Sequence, residues 1–484
     1  PGRLPAAAAP ALQLLWVSAA GGFLLLAPPT GRGDLPVAPP TGPPPPAGSP
    51  NVLLVTWDTV RADSLPLYGG GGLDTPALDR LAAEGVLFED FQAVAPITGP
   101  AHASILTGLF PPEHGLRSNG DQLPSDVTTL AERFAAAGYA TGGFVSGLPV
   151  TAQFGFDAGF QAFDGRTADR PGPVLLRSLI FTSTLVERLL PAEWQPPPSE
   201  TPGEVTLARA RRWLAGVERP WFLWVHFYDA HFPYRPPARF LAAVRARAAE
   251  GPAPVDPELA DSWVAQRGEI AWLDFLLGEL LASAAARDPG LAHTVVALTA
   301  DHGECFGEGG LRCSHHRSLF QATQHVAAVV RPPAAAAGYR RGLRVAATSS
   351  QVDLAPTLIE LAGLPAEAAG HGRSLVPLLR GEELEPWPEG VYQEAFQRQL
   401  GQDRRSAWRS GEWTLTVDRS GREALLHAER GQVPPAEADP VLVAGLRQRL
   451  ESFLAGIEER AGASAADPGA ERALEGLGYT GDGS

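Results

Sequence analysis

The chain of 484 residues has neither lysine nor methionine: its 39 basic residues are all arginine, and asparagine occurs only at Asn51 and Asn119. Codon bias is the bland cause of such a composition, but its chemical consequence stands. With no lysine there is no side-chain amine to serve as a base or to form a Schiff base. Any anion site must be built from Arg, His, Asn, backbone N–H groups or a metal ion. Two cysteines, Cys305 and Cys313, are too few for a disulfide scaffold. They form either one local bridge, which would close a short loop, or two unpaired buried thiols. Basic residues are also outnumbered by 54 acidic ones, for a net charge of -15. Such a surface repels polyphosphate backbones and disfavours nucleic acid as the main partner. Apolar matter is plentiful, with 44% hydrophobic and 19% charged residues, which excludes global disorder. The length excludes a short binding module and predicts one large catalytic-sized domain with a smaller appendage.

Behind Arg3 the apolar run Ala11 to Ala27 contains Gly21 and Gly22 and gives way to Pro28 and Pro29. It fits a secretory h-region or a single N-terminal anchor, with a buried core helix as the bland alternative. The expectation is export to a periplasmic or extracellular location, with or without membrane anchoring by residues 11–27. Gly31 to Pro50 has no apolar periodicity and reads as an extended tether. The predicted organisation is a signal or anchor segment and Pro-rich linker over 1–50, a catalytic domain over 51–390, a small C-terminal subdomain over 391–460 and a flexible tail over 461–484.

Asn51 to Trp57 is a nearly continuous apolar run ending in Asp58, the pattern of a central strand buried on both faces with a polar loop at its carboxyl end. Pro220 to Phe227 runs likewise into Tyr228, Asp229 and His231, and Thr294 to Thr299 into Asp301 and His302. Helical patterns alternate with these runs: Pro76 to Glu84 with Thr75 as N-cap, Thr128 to Ala137, Val205 to Val217, Pro257 to Ala285 and Val352 to Gly363. Strands alternating with helices predict an α/β fold with a mostly parallel central sheet flanked by helices and with ligands at the strand carboxyl ends. Asp58, His231, Asp301 and His302 then share one edge. Strand-like pieces at Trp413 to Val417 and Ala424 to His427, with a helix near Val441 to Leu454, predict a small C-terminal α+β subdomain.

Thr98 precedes Gly99, Pro100 and a small-residue helix pattern from Ala101 to Thr107, so its hydroxyl falls at a helix N-terminus. It reads as a plain N-cap or as a group facing an anion. Asp58, Asp301 and His302 supply hard oxygens and an imidazole, which suit one divalent ion such as Zn, Mn, Mg or Ca. The Thr98 oxygen would complete the shell.

Taken together the motifs resemble the sulfatase branch of the alkaline phosphatase superfamily. They are Asp58 after the first strand, TGPAHASILTG (Thr98 to Gly108), Glu113-His114-Gly115, HFYDAHFPY (His226 to Tyr234), TADHGE (Thr299 to Glu304), SHHRSLF (Ser314 to Phe320) and VDLAPTLIELAG (Val352 to Gly363). The resemblance spans residues 51 to 380 and implies an α/β core with a divalent metal at the strand ends and hydrolysis of sulfate or phosphate esters. At the nucleophile the chain departs from true sulfatases. Thr98, Pro100 and His102 stand where those enzymes carry Cys or Ser, Pro and Arg, and Ser146 stands near the place of their active-site lysine. Threonine lacks the primary CH2 centre that becomes the aldehyde of formylglycine. Thr98-x-Pro100-x-His102 is closer to the nucleotide pyrophosphatase/phosphodiesterase branch, in which a metal-bound Thr attacks phosphorus and an Asn after a His-Gly holds the nonbridging oxygens. Asn119, after His114-Gly115, matches that Asn, and as an Asn-Gly dipeptide it reads equally as a turn residue. Asp229, His231 and His315 form a second group. By the resemblance they hold a second ion, or His231 and His315 donate to a nonbridging oxygen and to the leaving group.

The expected function is a metal-dependent hydrolase of phosphate mono- or diesters or of sulfate esters with Thr98 as nucleophile. Asn119, His231 and His315 assist catalysis, and phosphate is favoured over sulfate. Its substrate would be a small molecule or a glycan or lipid-headgroup ester. The alternatives are a catalytically silent exported protein that binds anions and an envelope phosphoryl-group transferase.

Overall fold

In the computed structural model the apolar runs Asn51–Trp57, Trp221–Phe227 and Thr294–Ala300 lie side by side as parallel strands, buried almost throughout. The structure describes residues 44–166, 200–218, 220–365, 370–382, 390–398, 401, 403–460 and 463–464. These all fall within the compact unit formed by Val37–Thr167 and Ser199–Ser484. The apolar run Ala11 to Ala27 and most of the Pro-rich stretch after it lie outside the described residues. Among the described residues no helix is long and apolar enough to cross a membrane.

The three strands are the centre of a nine-stranded sheet. Its spatial order is Leu343–Val345, Val86–Gln92, His325–Arg331, Thr294–Ala300, Asn51–Trp57, Trp221–Phe227, Ala140–Val145 and Ala162–Asp164, with Ser349–Ser350 also pairing to Val86–Gln92. His325–Arg331 runs antiparallel to both of its neighbours, and the other pairings are parallel. The sheet is therefore mixed but mostly parallel, with helices packed on it.

Two strands have sequences that conceal them. Val86–Gln92 (VLFEDFQ) carries two acids that interrupt the apolar pattern. Ala140–Val145 (ATGGFV) carries two glycines, which are poor strand formers. Packing explains the glycines: a Cβ on Gly142 would lie 2.9 Å from the Trp213 indole of the Gly203–Gly216 helix, and one on Gly143 would lie 2.7 Å from the Phe163 ring. Bare backbone at these two positions lets aromatic rings lie flat against the sheet.

The helix Pro76–Glu84 starts where the sequence predicts, but Thr75 does not cap it: the Thr75 hydroxyl donates instead to Asp79 at 3.1 Å. The orphan amides of Ala77 and Leu78 are taken by the Asp274 carboxylate, at 3.1 and 2.8 Å, from the long helix Ala260–Ala285. That cap is tertiary and invisible to local sequence. In Leu130–Ala136 the local signal does hold, with Thr129 and Glu132 forming a capping box.

Past Gly390 an antiparallel sheet orders Val391–Ala395, Arg405–Ser410, Trp413–Asp418, Glu423–His427 and Gly431–Val433, covered by the helix Pro440–Gly456. Tyr392, Trp408, Leu415, Leu446 and Leu450 from this part share one apolar cluster with Val94, Phe110 and Val352. The C-terminal sheet is thereby held against the segment that leads into the Thr98 helix. Of the residues beyond Ala461, the described pair Ala463–Ser464 joins Asp121–Gln122 in a short antiparallel ladder.

Asp274→Ala strips the two amides of their acceptor in a site where Asp274 is 2% exposed. It is expected to destabilise the fold by about 1–2 kcal/mol, as other lost caps do, measured as a shift in urea midpoint at unchanged m-value.

Candidate active site

Parallel register decides where the chemistry gathers. Trp57 pairs with Phe227 on one side and with Ala300 on the other, so the three strands end level. The next residues continue the ladder, with Asp58 N donating to Phe227 O at 2.9 Å and Asp301 N to Trp57 O at 3.1 Å. Asp58 and Asp301 are thus forced side by side. Thr59 adopts a left-handed φ of 54°, a strained conformation for a β-branched residue. The turn aims its N–H at Asp301 Oδ1 (3.1 Å) and its hydroxyl at Ala230 O (2.7 Å). His302 N also donates to Asp301 Oδ1, at 2.7 Å.

Asp58, Asp301 and His302 are fully buried, and one ligand atom from each lies within 4.8 Å of the others, the one such cluster of three among the described residues. Asp58 Oδ1 and Asp301 Oδ2 have no hydrogen-bond partner. Burial, and next the charge of Asp301, pushes the Asp58 carboxyl well above the usual carboxylate range; burial pushes Asp301 up as well. Two buried, mutually repelling carboxylates that each keep an oxygen unpaired call for a positive charge between them. His302 donates Nδ1–H to Gly303 O at 3.0 Å, which leaves Nε2 as a lone pair, and burial holds its pKa down at about 3, so the ring is neutral. Carboxylates, imidazole and hydroxyl suit a divalent cation of the Mg, Ca, Mn or Zn kind.

The Thr98 hydroxyl belongs to the same cluster: Oγ1 lies 3.3 Å from Asp58 Oδ2 and 3.4 Å from His302 Nε2. Of the two readings of Thr98, the plain N-cap does not hold: the cap position is Ile97 and Thr98 is the first residue of the helix Thr98–Thr107. Its side chain turns to the carboxylates instead of to the helix amides. The amide of Gly99 is satisfied by Asn119 Oδ1 at 2.7 Å, which makes Nδ2 the donor end of that side chain. A Cβ on Gly99 would lie 2.9 Å from Asn119 Oδ1, so this approach requires glycine. Asn119 is itself held by Gln397, whose Oε1 accepts from Asn119 N (3.3 Å) and Ser118 Oγ (3.2 Å).

Beneath the cluster the Thr56 hydroxyl joins three rings. His102 Nδ1 donates to Thr98 O at 2.8 Å, so its Nε2 must accept from Thr56 Oγ1 at 3.0 Å. With its one proton given, Thr56 accepts from Trp224 Nε1 (3.0 Å) and from His226 Nδ1 (3.1 Å). Burial keeps both histidines neutral, His102 at about 4. The remaining His226 Nε2 is unpartnered and faces Asp58 Oδ2 at 3.7 Å. His226 is therefore part of the floor of the site and no mere core residue.

His315 stands beside His302, and His231 beside His315. His231 Nδ1 donates to Phe232 O at 2.7 Å and His315 Nδ1 to Glu304 Oε1 at 2.8 Å, so both present bare, buried Nε2 atoms without a partner. The His315 ring centroid lies 4.3 Å from that of His302 and 5.4 Å from that of His231. Asp229 does not join them. Its Oδ1 accepts from Gly203 N (3.0 Å) and Trp272 Nε1 (3.2 Å), anchoring the start of the Gly203–Gly216 helix. The cysteines do not pair either: both thiols are free, and Cys305 donates to Ser318 Oγ at 3.3 Å. The reason is register, for Ser314 and not Cys313 stands opposite Cys305, and side chains one residue apart on a strand face opposite ways.

With this geometry in view the comparisons are decisive. The sulfatase family profile matches residues 50–364. The chain belongs to the sulfatase family. Arylsulfatase A of Bos taurus is 30% identical over 383 residues, 70% of this chain and 69% of that protein. A sulfatase of Formosa agariphila is 24% identical over 382 residues, 69% and 73% of the two chains. The crystal structure of a phosphonate monoester hydrolase of Agrobacterium radiobacter superposes with a TM-score of 0.64 at 24% identity, covering 84% of this chain and 95% of that one. This sulfatase-family chain is thus a hydrolase of the alkaline phosphatase superfamily, a group that uses a divalent metal.

Sequence reading missed several buried residues around the candidate site. Glu304 lies inside the TADHGE motif yet shows its role, orienting His315, only through contact. Thr56 looks like any strand residue, and Gln397 comes from a piece with no motif. Glu269 was also missed: it accepts from Arg235 N at 2.6 Å beside Asp229, and burial, then the charge of Asp229, raises it to about 9. A carboxyl whose folded pKa exceeds its unfolded value of 4.5 keeps its proton where the unfolded chain has lost one. Stability from this group is complete below 4.5 and declines as the pH rises towards 9. Glu269→Gln, which retains the acceptor, is expected to flatten that decline in a Tm-against-pH series; an equal slope in both proteins counts against the assignment.

Proposed function

We propose that the chain cleaves phosphoric esters, and sulfuric esters less readily, with Thr98 Oγ1 as the attacking oxygen. The observation that carries this reading is the position of that oxygen, 3.3 Å from Asp58 Oδ2 and 3.4 Å from His302 Nε2. Asp58, Asp301 and His302 would hold one divalent cation. When bound, such an ion favours ionisation of a nearby hydroxyl and offsets the negative charge of the ester.

The remaining steps fall to the chain's own groups. Asn119 Nδ2, oriented by the Gly99 and Gln397 contacts, would donate to the nonbridging oxygens as charge builds on them, and His231 would join it as imidazolium, the negative charge of the bound ester favouring a proton on its otherwise bare Nε2. His315, with Nδ1–H tied to Glu304, would act as imidazolium: its Nε2 takes up a proton from solvent as the anionic ester binds and gives it to the leaving oxygen. Glu304 suits the supporting part, since burial raises it to about 7 and its contact fixes the tautomer of the ring. The preference for phosphorus rests on carbon chemistry: Thr98 has a secondary alcohol carbon, which oxidation does not convert to an aldehyde. The apolar run Ala11 to Ala27 supports work outside the cytosol, on a small-molecule, glycan or lipid-headgroup ester.

The test loads purified protein in turn with Zn, Mn, Mg and Ca and assays aryl phosphate mono- and diesters, aryl phosphonate monoesters and aryl sulfates. Thr98→Ala is expected to lower kcat by ~10³-fold or more at undiminished metal content and unchanged circular dichroism. Absence of turnover with every ion and ester, or a Thr98→Ala protein as fast as wild type, would falsify the reading and favour a silent anion-binding protein.

A further inference from the structure

Five arginines meet in one cavity of a chain whose net charge is -15. The cavity opens to solvent, has a volume of about 370 Å³ and is lined by Arg117, Arg398, Arg404, Arg419 and Arg460 together with Glu459. Phe396 completes the wall, with the Arg419 guanidinium 5.7 Å from its ring centroid. This volume falls in the range of small-molecule sites, about 300–1,000 Å³. Arg117 is 7% exposed and its Nε has no hydrogen-bond partner. Three of the arginines have anchors outside the wall: Arg117 lies 3.5 Å from Glu394, Arg398 pairs with Asp121 at 3.1 Å, and Arg460 pairs with Asp126. Glu459 is the acid within the wall, and its carboxylate bridges Arg117, at 2.6 Å, and Arg404.

The cavity is wired to the catalytic cluster. Arg117 and Asn119 are two Cα steps apart, at most about 7.6 Å. The Ser118 hydroxyl between them donates to Gln397 Oε1 at 3.2 Å and accepts from Arg398 N at 3.0 Å. One short turn therefore presents Asn119 beside the nucleophile and Arg117 to the arginine cavity.

We propose that this cavity is a second anion subsite. It binds a further sulfate, phosphate or carboxylate group of the substrate whose ester is cleaved at Thr98, and the Glu459 carboxylate occupies the place until that group displaces it. The substrate class is then an ester carrying at least two anionic groups. Guanidinium forks bind tetrahedral and planar oxyanions bidentately, which a lysine-free chain is equipped to do. This inference rests on the hydrolase reading for the identity of the ligand, but the subsite itself is tested apart from catalysis.

The experiment titrates inorganic sulfate calorimetrically into the full-length, metal-free protein. Without a cation the Asp58 and Asp301 carboxylates repel sulfate, so heat of binding reports the arginine cavity. Wild type is expected to bind one sulfate, Glu459→Gln to bind it about tenfold more tightly, and Arg404→Gln combined with Arg419→Gln about tenfold more weakly. Glu459→Gln preserves size and removes only charge, so it carries the test even where the arginine variant folds poorly. In the metal-loaded enzyme, the ratio of kcat/KM for a carboxylated aryl ester over the uncarboxylated one should fall about tenfold in the double arginine variant. Failure of wild type to bind sulfate, or equal affinity in all three proteins, overturns the subsite. Sulfate binding as expected with neither ester turned over overturns the hydrolase reading and leaves an anion-binding cavity.

Discussion

Two carboxylates with nowhere to put their charge organise this molecule. Asp58 and Asp301 end adjacent parallel strands in matched register, each keeps an oxygen without a partner, and neither has access to water. Replacing both with apolar groups would suit the core better, because burying like charges costs several kcal/mol per ion. An arrangement of this kind suits a cation. The strained Thr59 turn, the neutral His302 and the Thr98 hydroxyl all meet the same two carboxylates.

A second constraint ties the periphery to this centre. The Thr98 helix is buried along its whole length, and its first free amide is closed by Asn119, a residue steadied by Gln397 from beyond the C-terminal sheet's first strand. The apolar cluster of Tyr392, Trp408, Leu446 and Leu450 with Phe110 and Val352 fixes that sheet against the same helix surroundings. The position of the Thr98 hydroxyl thus depends on packing hundreds of residues away in sequence. The arginine cavity lies along this connection, through Arg117 and the Ser118 contacts to Gln397 and Arg398.

Legibility varied with how local the cause was. Asn51–Trp57, Trp221–Phe227 and Thr294–Ala300 were plain from their apolar runs because both faces of a central parallel strand are buried. The acids and histidines that follow those runs were plain for the same reason. Ala140–Val145 was obscured by glycines whose purpose is to admit Trp213 and Phe163. Thr75 read as an N-cap and Thr98 as either an N-cap or a group facing an anion, and in both cases a side chain from elsewhere, Asp274 or Asn119, closes the helix amides. Asp229 sat in a motif with His231, but its Oδ1 takes the amide of Gly203 and the indole of Trp272.

By itself the sequence determined the class of fold, the sheet edge at which Asp58, Asp301 and His302 collect and the residue types found there, because periodicity and strand order are properties of consecutive residues. Tertiary structure alone decided which of those groups touch. Hydrogen-bond direction, the tautomers of His102, His226, His302 and His315, the hairpin register that separates Cys305 from Cys313, and the meeting of five arginines in one cavity all depend on distances of a few ångströms between segments remote in the chain. Such distances are set by packing density and register, which no local pattern records.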